Sequence, residues 1–246
     1  VEEFLEIKLS AVLYNDVPTR AQCIKFKGDY VSKDAGTDIL DGAYALKTPQ
    51  DNRAFYKRLA TAYDTDFAEG LGYVYPAAVA EAYLKLFPQT VGSLCDVGCG
   101  TGLLAEHLKL YLPELLIDGV DISTEMLEVA ASKNLYQNLY EIDLTSNISK
   151  LSFDYAAVIS AGTFTHGHLG PEALRSLIDH FQTDTVFCIG VNQKHYIKHD
   201  FSEFLERMVA KKMITNLELI ETEIYAKHSK KHSDDLALIC CFLVKK

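Results

Sequence analysis

No apolar run among the 246 residues approaches the ~20 that a membrane helix needs, and the opening VEEFLEIKLS interleaves charge where a secretory signal would stay apolar. A soluble, cytoplasmic protein is expected. Cations are scarce: 24 Lys+Arg face 34 Asp+Glu, a formal charge of −10, so the molecule as a whole repels a nucleic-acid backbone and an anionic membrane surface. Cysteines are few and scattered (Cys23, Cys95, Cys99, Cys188, Cys240, Cys241), and a chain this long needs no disulfide staples, so they are expected to be reduced core residues. Repeats and low-complexity tracts are missing. With 48% hydrophobic and 24% charged residues, disordered, collagenous and coiled-coil readings are excluded. What remains is one α/β domain of roughly 200–250 residues with an elaborated end.

From Leu94 onward, short apolar runs alternate with longer helical patterns, the signature of βαβ units and a mostly parallel sheet. The spacing predicts strands at 93–97, 116–121, 139–143, 155–160, 185–191, 217–225 and 237–244. Helices are predicted at 103–111, 124–133, 171–180 and 201–212, with Ser123 capping the second and Pro171 in the first turn of the third. Only residues 226–235 separate the last two strands, too few for a crossover helix, so those strands should pair as an antiparallel hairpin. Upstream, Thr48 and Pro49 start a helix carrying Phe55, Tyr56, Leu59, Ala60 and Tyr63, and a second runs over 76–86. In the first stretch, Phe4, Leu5, Leu9, Val12 and Leu13 suit a helix, while the Gly/Asp-rich residues 34–42 suit a loop.

The densest signal is Asp96-Val97-Gly98-Cys99-Gly100-Thr101-Gly102, a strand running into three alternating glycines and then a helix. Glycines there let backbone pass close beneath a ligand, and the helix start offers free N–H groups. A dinucleotide fingerprint needs Gly or Ala at the sixth position of the loop, where this chain has Leu103, so a pyrophosphate is not the expected ligand. Asp121 ends the second strand, 23 residues past Gly98, where a carboxylate can take two hydrogen bonds from a ribose diol. Asp143 ends the third strand at the same edge and could accept from an adenine amino group.

Together these residues resemble the class I S-adenosylmethionine-dependent methyltransferases, whose first motif matches Asp96 to Gly102. The resemblance implies a Rossmann-like, seven-stranded, mostly parallel α/β sheet of order 3-2-1-4-5-7-6, strand 7 antiparallel, with helices on both faces. It covers residues 48–246 as the methyltransferase domain and leaves 1–47 as an N-terminal extension of unassigned role. It implies S-adenosylmethionine as cofactor, with S-adenosylhomocysteine as product. Around it the resemblance places Asp96, Gly98, Cys99, Gly100, Thr101 and Gly102, then Asp121 with Ile122 and Met126, Asp143 with Leu144, and Ser160, Tyr63 and Tyr73. A narrower likeness runs through Ala62-Tyr63-Asp64, Tyr73 to Pro76, Leu135-Tyr136, Gly162 to His168 and Gly170 to Leu174, which look like the methyltransferase-like proteins related to the Williams-Beuren-region methyltransferase and their bacterial relatives. Many of those carry Lys-Pro-Gly-Gly before strand five, where this chain reads His180 to Asp184.

Methyl transfer from a sulfonium is an in-line displacement that asks mainly for alignment, plus a base where the acceptor holds a proton. The loop after strand four, Ser160 to His168, lies where ligands bind in such sheets, and His166, ahead of His168, is the favoured base. The pairs His195/His199 and His228/His232 lack an H-E-x-x-H pattern or a cysteine pair and are read as solvated loop residues, so no metal site is expected. Cys240 and Cys241 should point to opposite faces of one strand. Neither an Asn/Asp-Pro-Pro-aromatic run nor a Pro-Cys nucleophile follows strand four, which with the net charge disfavours nucleic acid and favours a small-molecule acceptor. A protein or nucleic-acid acceptor, or a non-catalytic S-adenosylmethionine-binding module, are the alternatives.

Overall fold

The computed structural model describes residues 35–146, 148–152, 154–226 and 234–246. Seven strands form one sheet: β1 (Leu94–Val97), β2 (Ile117–Asp121), β3 (Asn138–Glu141), β4 (Ala157–Phe164), β5 (Val186–Asn192), β6 (Ile214–Glu223) and β7 (Leu236–Val244). Their order is β3-β2-β1-β4-β5-β7-β6. β1 pairs in parallel with both β2 and β4, and β7 runs antiparallel to both β5 and β6. The expected sheet order and the terminal hairpin are both present.

Side chains alternate across the sheet as period two requires. Val97, Val158, Phe187, Ile189, Cys240 and Phe242 join one core, packed under α6 (Pro171–His180) and α8 (Phe201–Ala210). Leu94, Ala157, Ile159, Cys188, Ile239 and Cys241 join the other, under α3 (Tyr75–Leu86) and α4 (Leu103–Tyr111). Cys240 and Cys241 therefore do face opposite ways, and Cys95, Cys99, Cys188, Cys240 and Cys241 are buried and free. The remaining helix of the βαβ run, α5 (Thr124–Ser132), starts where Ser123 Oγ accepts from Met126 N at 3.3 Å. Among the described residues no helix is long and apolar enough to cross a membrane.

Three local expectations need correction. The Gly/Asp-rich stretch ahead of residue 48 is not a loop: Ala35–Tyr44 is a helix, α1. Its weak propensity is overridden by packing, since a Cβ on Gly42 would come within 2.9 Å of the Phe55 ring on α2 (Pro49–Leu59), so glycine sets how closely the two helices approach. A short helix, α7 (Gln193–Lys198), was not anticipated, and it buries His195, whose ring nitrogen Nε2 lies 2.9 Å from the Leu169 carbonyl. His195 is thus a core residue and not a solvated one, while the His228/His232 pair and the helix expected near Phe4 lie outside the described residues. Finally, β4 continues past Ser160 to Phe164 through an irregularity, so the first half of the expected loop is strand.

Past α2, which begins at the anticipated Thr48 cap in a full capping box with Asp51, the helix does not stop cleanly. It tightens into a 3₁₀ turn at Ala60–Ala62 and then widens into a π-helical segment at Tyr63–Glu69. Such π geometry is uncommon and often marks a functional position. Here it carries Tyr63 and Asp64 toward the carboxyl ends of β1 and β4.

Candidate functional site

Between β1 and β4 the strand order reverses, because β1 connects outward to β2 and β3 while β4 starts the other half. In open α/β sheets the crevice at such a switch point, outside the strand ends, is where ligands bind. The glycine loop leaves β1 into this crevice with left-handed backbone at Gly98 (φ 68°) and Gly100 (φ 53°). At Gly98 a Cβ would fall 1.8 Å from Thr163 Oγ1, so only glycine lets the loop pass under the tip of β4. At Gly100 a Cβ would meet nothing within 4 Å, which leaves open space directly over the loop.

Asp121, at the end of β2, closes the far side. Its Oδ2 accepts from Gly100 N and its Oδ1 from Ser123 N, both at 2.9 Å, which fixes the carboxylate in place and leaves each oxygen further lone pairs. Burial raises its pKa, opposed by the N–H groups of Ser123, Gly100 and Ile122. Asp143, beyond β3, is held by Thr145, whose N–H and hydroxyl donate to Oδ1 at 2.9 and 2.6 Å.

Asp96 lies deeper, on β1 just ahead of the loop and 1% exposed. Tyr136 donates to its Oδ2 at 2.8 Å, while Oδ1 is buried without a hydrogen-bond partner among the described residues. Burial pushes this carboxyl up to about 7, against the lowering by the Tyr136 hydroxyl. Thr101 ties the loop to the π-helical segment, its hydroxyl donating to Asp64 Oδ1 at 2.6 Å, and Lys133 bridges Asp64 and Glu106 at 2.6 and 2.8 Å.

Three adjoining chambers open here among the described residues. The largest, of about 120 Å³, is lined by Gly98, Gly100, Asp121, Ile122, Met126, Asp143 and Leu144 on the sheet side and roofed by Asn52, Tyr56 and His168. It has roughly ten times the space one water requires, so it is built for a ligand. A second, of about 40 Å³, lies toward α1 and β5, and a third, also about 40 Å³, runs along the glycine loop past Asp96, Cys99, Thr101 and Tyr73. Tyr63 lines all three.

Most residues anticipated from the sequence come together here, but three do not line these chambers. Ser160 is fully buried and donates to the Val97 carbonyl at 2.7 Å, tying β4 to β1. Gly102 caps α4 in left-handed backbone against the Tyr136 ring. His166, the favoured base, packs its ring on Tyr44 at 4.9 Å, outside the chambers, whereas His168 borders the first and second. Of the two histidines only His168 meets these chambers, with the left-handed turn at Gly167 (φ 72°) between them. Burial pulls the His168 imidazole down to about 4, helped by His195 and His166, so it is neutral at pH 7. Cys99 lines the third chamber, its sulfur lying near Gly119. Sequence reasoning missed Asn52, which donates to the Gly167 carbonyl at 2.9 Å, and read Tyr56 only as helix packing. A polar residue one turn past a helix cap carries no signal of that contact. Among the described residues no cluster of three His, Cys, Asp or Glu is placed to hold a metal ion.

A doubly wound sheet with a reversed seventh strand, and a glycine loop faced by acids at successive strand ends, is the Rossmann-like methyltransferase architecture. Residues 94–184 match the family profile described as "Methyltransferase domain". Among curated proteins, the chain is 24% identical over 141 residues to the malonyl-[acyl-carrier protein] O-methyltransferase of Bacillus anthracis, covering 56% of this chain and 51% of that one. It is 28% identical over 92 residues to the ribosomal RNA small subunit methyltransferase C of Aliivibrio fischeri, covering 36% and 26%. The chain spans about half the length of the first of these relatives and a quarter of the second. Among solved structures, the plantazolicin methyltransferase BpumL in complex with SAH superposes with a TM-score of 0.54 at 14% identity, over 87% of this chain and 96% of that one, a likeness of fold. Residues 94–184 thus carry a methyltransferase domain in a Rossmann-like methyltransferase fold, and solved structures of similar fold hold S-adenosylhomocysteine, the product of S-adenosylmethionine.

Proposed function

We propose that the protein transfers a methyl group from S-adenosylmethionine to a small-molecule acceptor. The observation that carries this reading is the buried, unpartnered Asp96 Oδ1 beside the open space over Gly100, with Asp121 across the crevice. That arrangement fits the cofactor at both ends. Asp121 would take the ribose hydroxyls, and Ile122, Met126 and Leu144 with Asp143 would hold the adenine. Asp96, with Thr101 and the loop, would meet the ammonium group of the amino-acid end. When bound, the sulfonium supplies an already activated methyl group. The chain's own work is alignment: Tyr63, at the junction of the three chambers, and Tyr73 would fix where that methyl points, and Asp64 holds Tyr63's segment down through Thr101 and Lys133. His168, neutral and bordering two chambers, would accept a proton from the acceptor.

A small acceptor is supported by the charge of −10, which disfavours a nucleic-acid substrate despite the ribosomal RNA methyltransferase relative. A protein-carried acceptor is the second reading, favoured by the acyl-carrier substrate named for the Bacillus relative. The narrower likeness to the Williams-Beuren-region group remains part of our reading, as does a cytoplasmic location. Calorimetric titration with S-adenosylmethionine and S-adenosylhomocysteine, with NADH as control, tests the cofactor site. Micromolar binding of the first two alone supports it, and binding of neither sinks it. Cofactor binding without turnover on any small acceptor would leave a binding module.

A further inference from the structure

The second chamber is not needed to hold a nucleoside or an amino-acid end, and its wall has an unusual composition. Six tyrosines close it: Tyr44 from α1, Tyr56 from α2, Tyr63, Tyr73, Tyr75 and Tyr225, with two phenylalanine rings behind. Among the described lining residues there is neither a cation nor a carboxylate. Behind the wall, Asp235 accepts the Tyr44 hydroxyl at 3.1 Å and is ion-paired with Lys194. Two side chains of the lining, Tyr75 and His168, each keep a buried polar atom, Oη and Nε2, that has no hydrogen-bond partner among the described residues. Tyr75 is 2% exposed, and its hydroxyl rests against Gly190 of β5, where a Cβ would lie 2.0 Å away. A glycine thus makes room for a hydroxyl that nothing in the described chain satisfies, and an orphaned buried hydroxyl is destabilising unless a ligand pairs with it.

We propose that this chamber is the methyl-acceptor site and that it takes a neutral, single-ring phenol whose hydroxyl is held by Tyr75 and His168. The proposal rests on the methyl-donor reading above and names the acceptor for it. Size limits the occupant: at about 40 Å³ the chamber is well short of the ~150 Å³ of a cavity that holds benzene, so one ring seats there only by reaching past Tyr56, Tyr63, Gly162 and His168 into the larger chamber, and a fused system is excluded. Ring chemistry fits, since the wall already pairs edge to face at Phe67–Tyr73 and Tyr73–Tyr75, a geometry a further aromatic ring can extend. Charge decides between acceptors. A carboxylate would enter without a cation to meet it and an ammonium without an acid, and either would pay its full desolvation. In the reaction, a lone pair on the phenol oxygen forms the bond to the methyl carbon of the sulfonium donor. The carbon–sulfur bond breaks with its electron pair passing to sulfur, and the hydroxyl proton leaves through the neutral imidazole of His168 to solvent.

The test is ligand-observed NMR titration of the full chain at pH 7.5 with p-cresol, benzoate and benzylamine, three probes of similar size, each with and without S-adenosylhomocysteine. p-Cresol should bind at least tenfold more tightly than the other two and yield 4-methylanisole when S-adenosylmethionine is supplied. Tyr75→Phe should weaken p-cresol at least fivefold while S-adenosylhomocysteine affinity stays within twofold. Benzoate or benzylamine binding as well as p-cresol, no p-cresol binding, or an unchanged Tyr75→Phe would each overturn the assignment. Because p-cresol is also titrated without S-adenosylhomocysteine, failure of the donor site and failure of the acceptor chamber read separately.

Discussion

Replacing Asp96 with Asn should stabilise the protein and cripple donor binding at once. The carboxyl is 1% exposed and its pKa rises from 3.8 to about 7, so between those values the folded state holds a proton that the unfolded chain releases. Stability is therefore lost as pH rises through that window, and above pH 7 the folded protein carries the whole cost. At 1.36 kcal/mol per unit, a rise of about three units is an upper bound near 4 kcal/mol, and relaxation around the site brings a working figure to ~2–4 kcal/mol. Asn keeps the oxygen that accepts from Tyr136 at 2.8 Å and removes the buried charge. In a chain of this length that gain corresponds to a melting temperature higher by about 5–10 °C at pH 8, shrinking toward zero near pH 4. The same change deletes the anion that would face the ammonium of S-adenosylmethionine, a charge-assisted contact of ~1.5–3 kcal/mol, or about 10- to 150-fold in Kd. In the unaltered protein, affinity for S-adenosylhomocysteine should fall with pH below about 7, approaching tenfold per unit as Asp96 protonates. Differential scanning fluorimetry across pH and calorimetry at pH 5.5, 6.5 and 8 measure both. A pH-independent affinity, or an Asn variant no more stable at pH 8, would refute the placement of a buried, ammonium-facing charge at Asp96.

Gly100→Val should abolish donor binding while the fold survives, because its side chain would occupy the open space over the loop; the left-handed backbone (φ 53°) adds only ~1–2 kcal/mol of strain. A folded variant with unaltered calorimetric Kd would remove the site from this crevice. Asp121→Ala should weaken S-adenosylhomocysteine by ~1–3 kcal/mol and also lower stability, since the N–H groups of Gly100 and Ser123 lose their acceptor. Full affinity in that variant would argue against ribose recognition there. His166→Ala should leave turnover within about threefold, whereas His168→Ala should lower kcat with donor affinity spared; the reverse ranking would restore His166 as the base. Asp64→Ala frees the segment bearing Tyr63 from Thr101 and Lys133 and should raise the KM for S-adenosylmethionine, an effect that kinetics at varied donor concentration would reveal or exclude.

The fold was readable because its signals are local and repeat. Short, continuous apolar runs separated by capped helices spell out a parallel sheet, and a ten-residue gap between the last two strands leaves only a hairpin. The misreadings share one cause. Residues 34–42 look like a loop by propensity, yet Gly42 lets α1 seat against Phe55, a gain that only the packed partner provides. His195 looks solvated in a Lys- and Asp-rich neighbourhood, but Asn192 caps a six-residue helix that turns its ring inward. His166 and His168 are indistinguishable as letters, and the fold decides which one meets the cavity.

By itself the sequence determined the parts whose chemistry is short-range: a strand, three glycines and a helix start in one run, and a carboxylate at the end of each of the next two strands. Those features follow from backbone sterics and chain order, which neighbouring residues set. The tertiary structure alone decided the enclosure. Asn52 reaches Gly167 across 115 positions and Tyr44 reaches Asp235 across 191, and such contacts exist only once the sheet has brought distant elements to one edge. Burial then does what no residue type does alone, raising Asp96 to about 7 and leaving the Tyr75 hydroxyl with nothing in the described chain to bond.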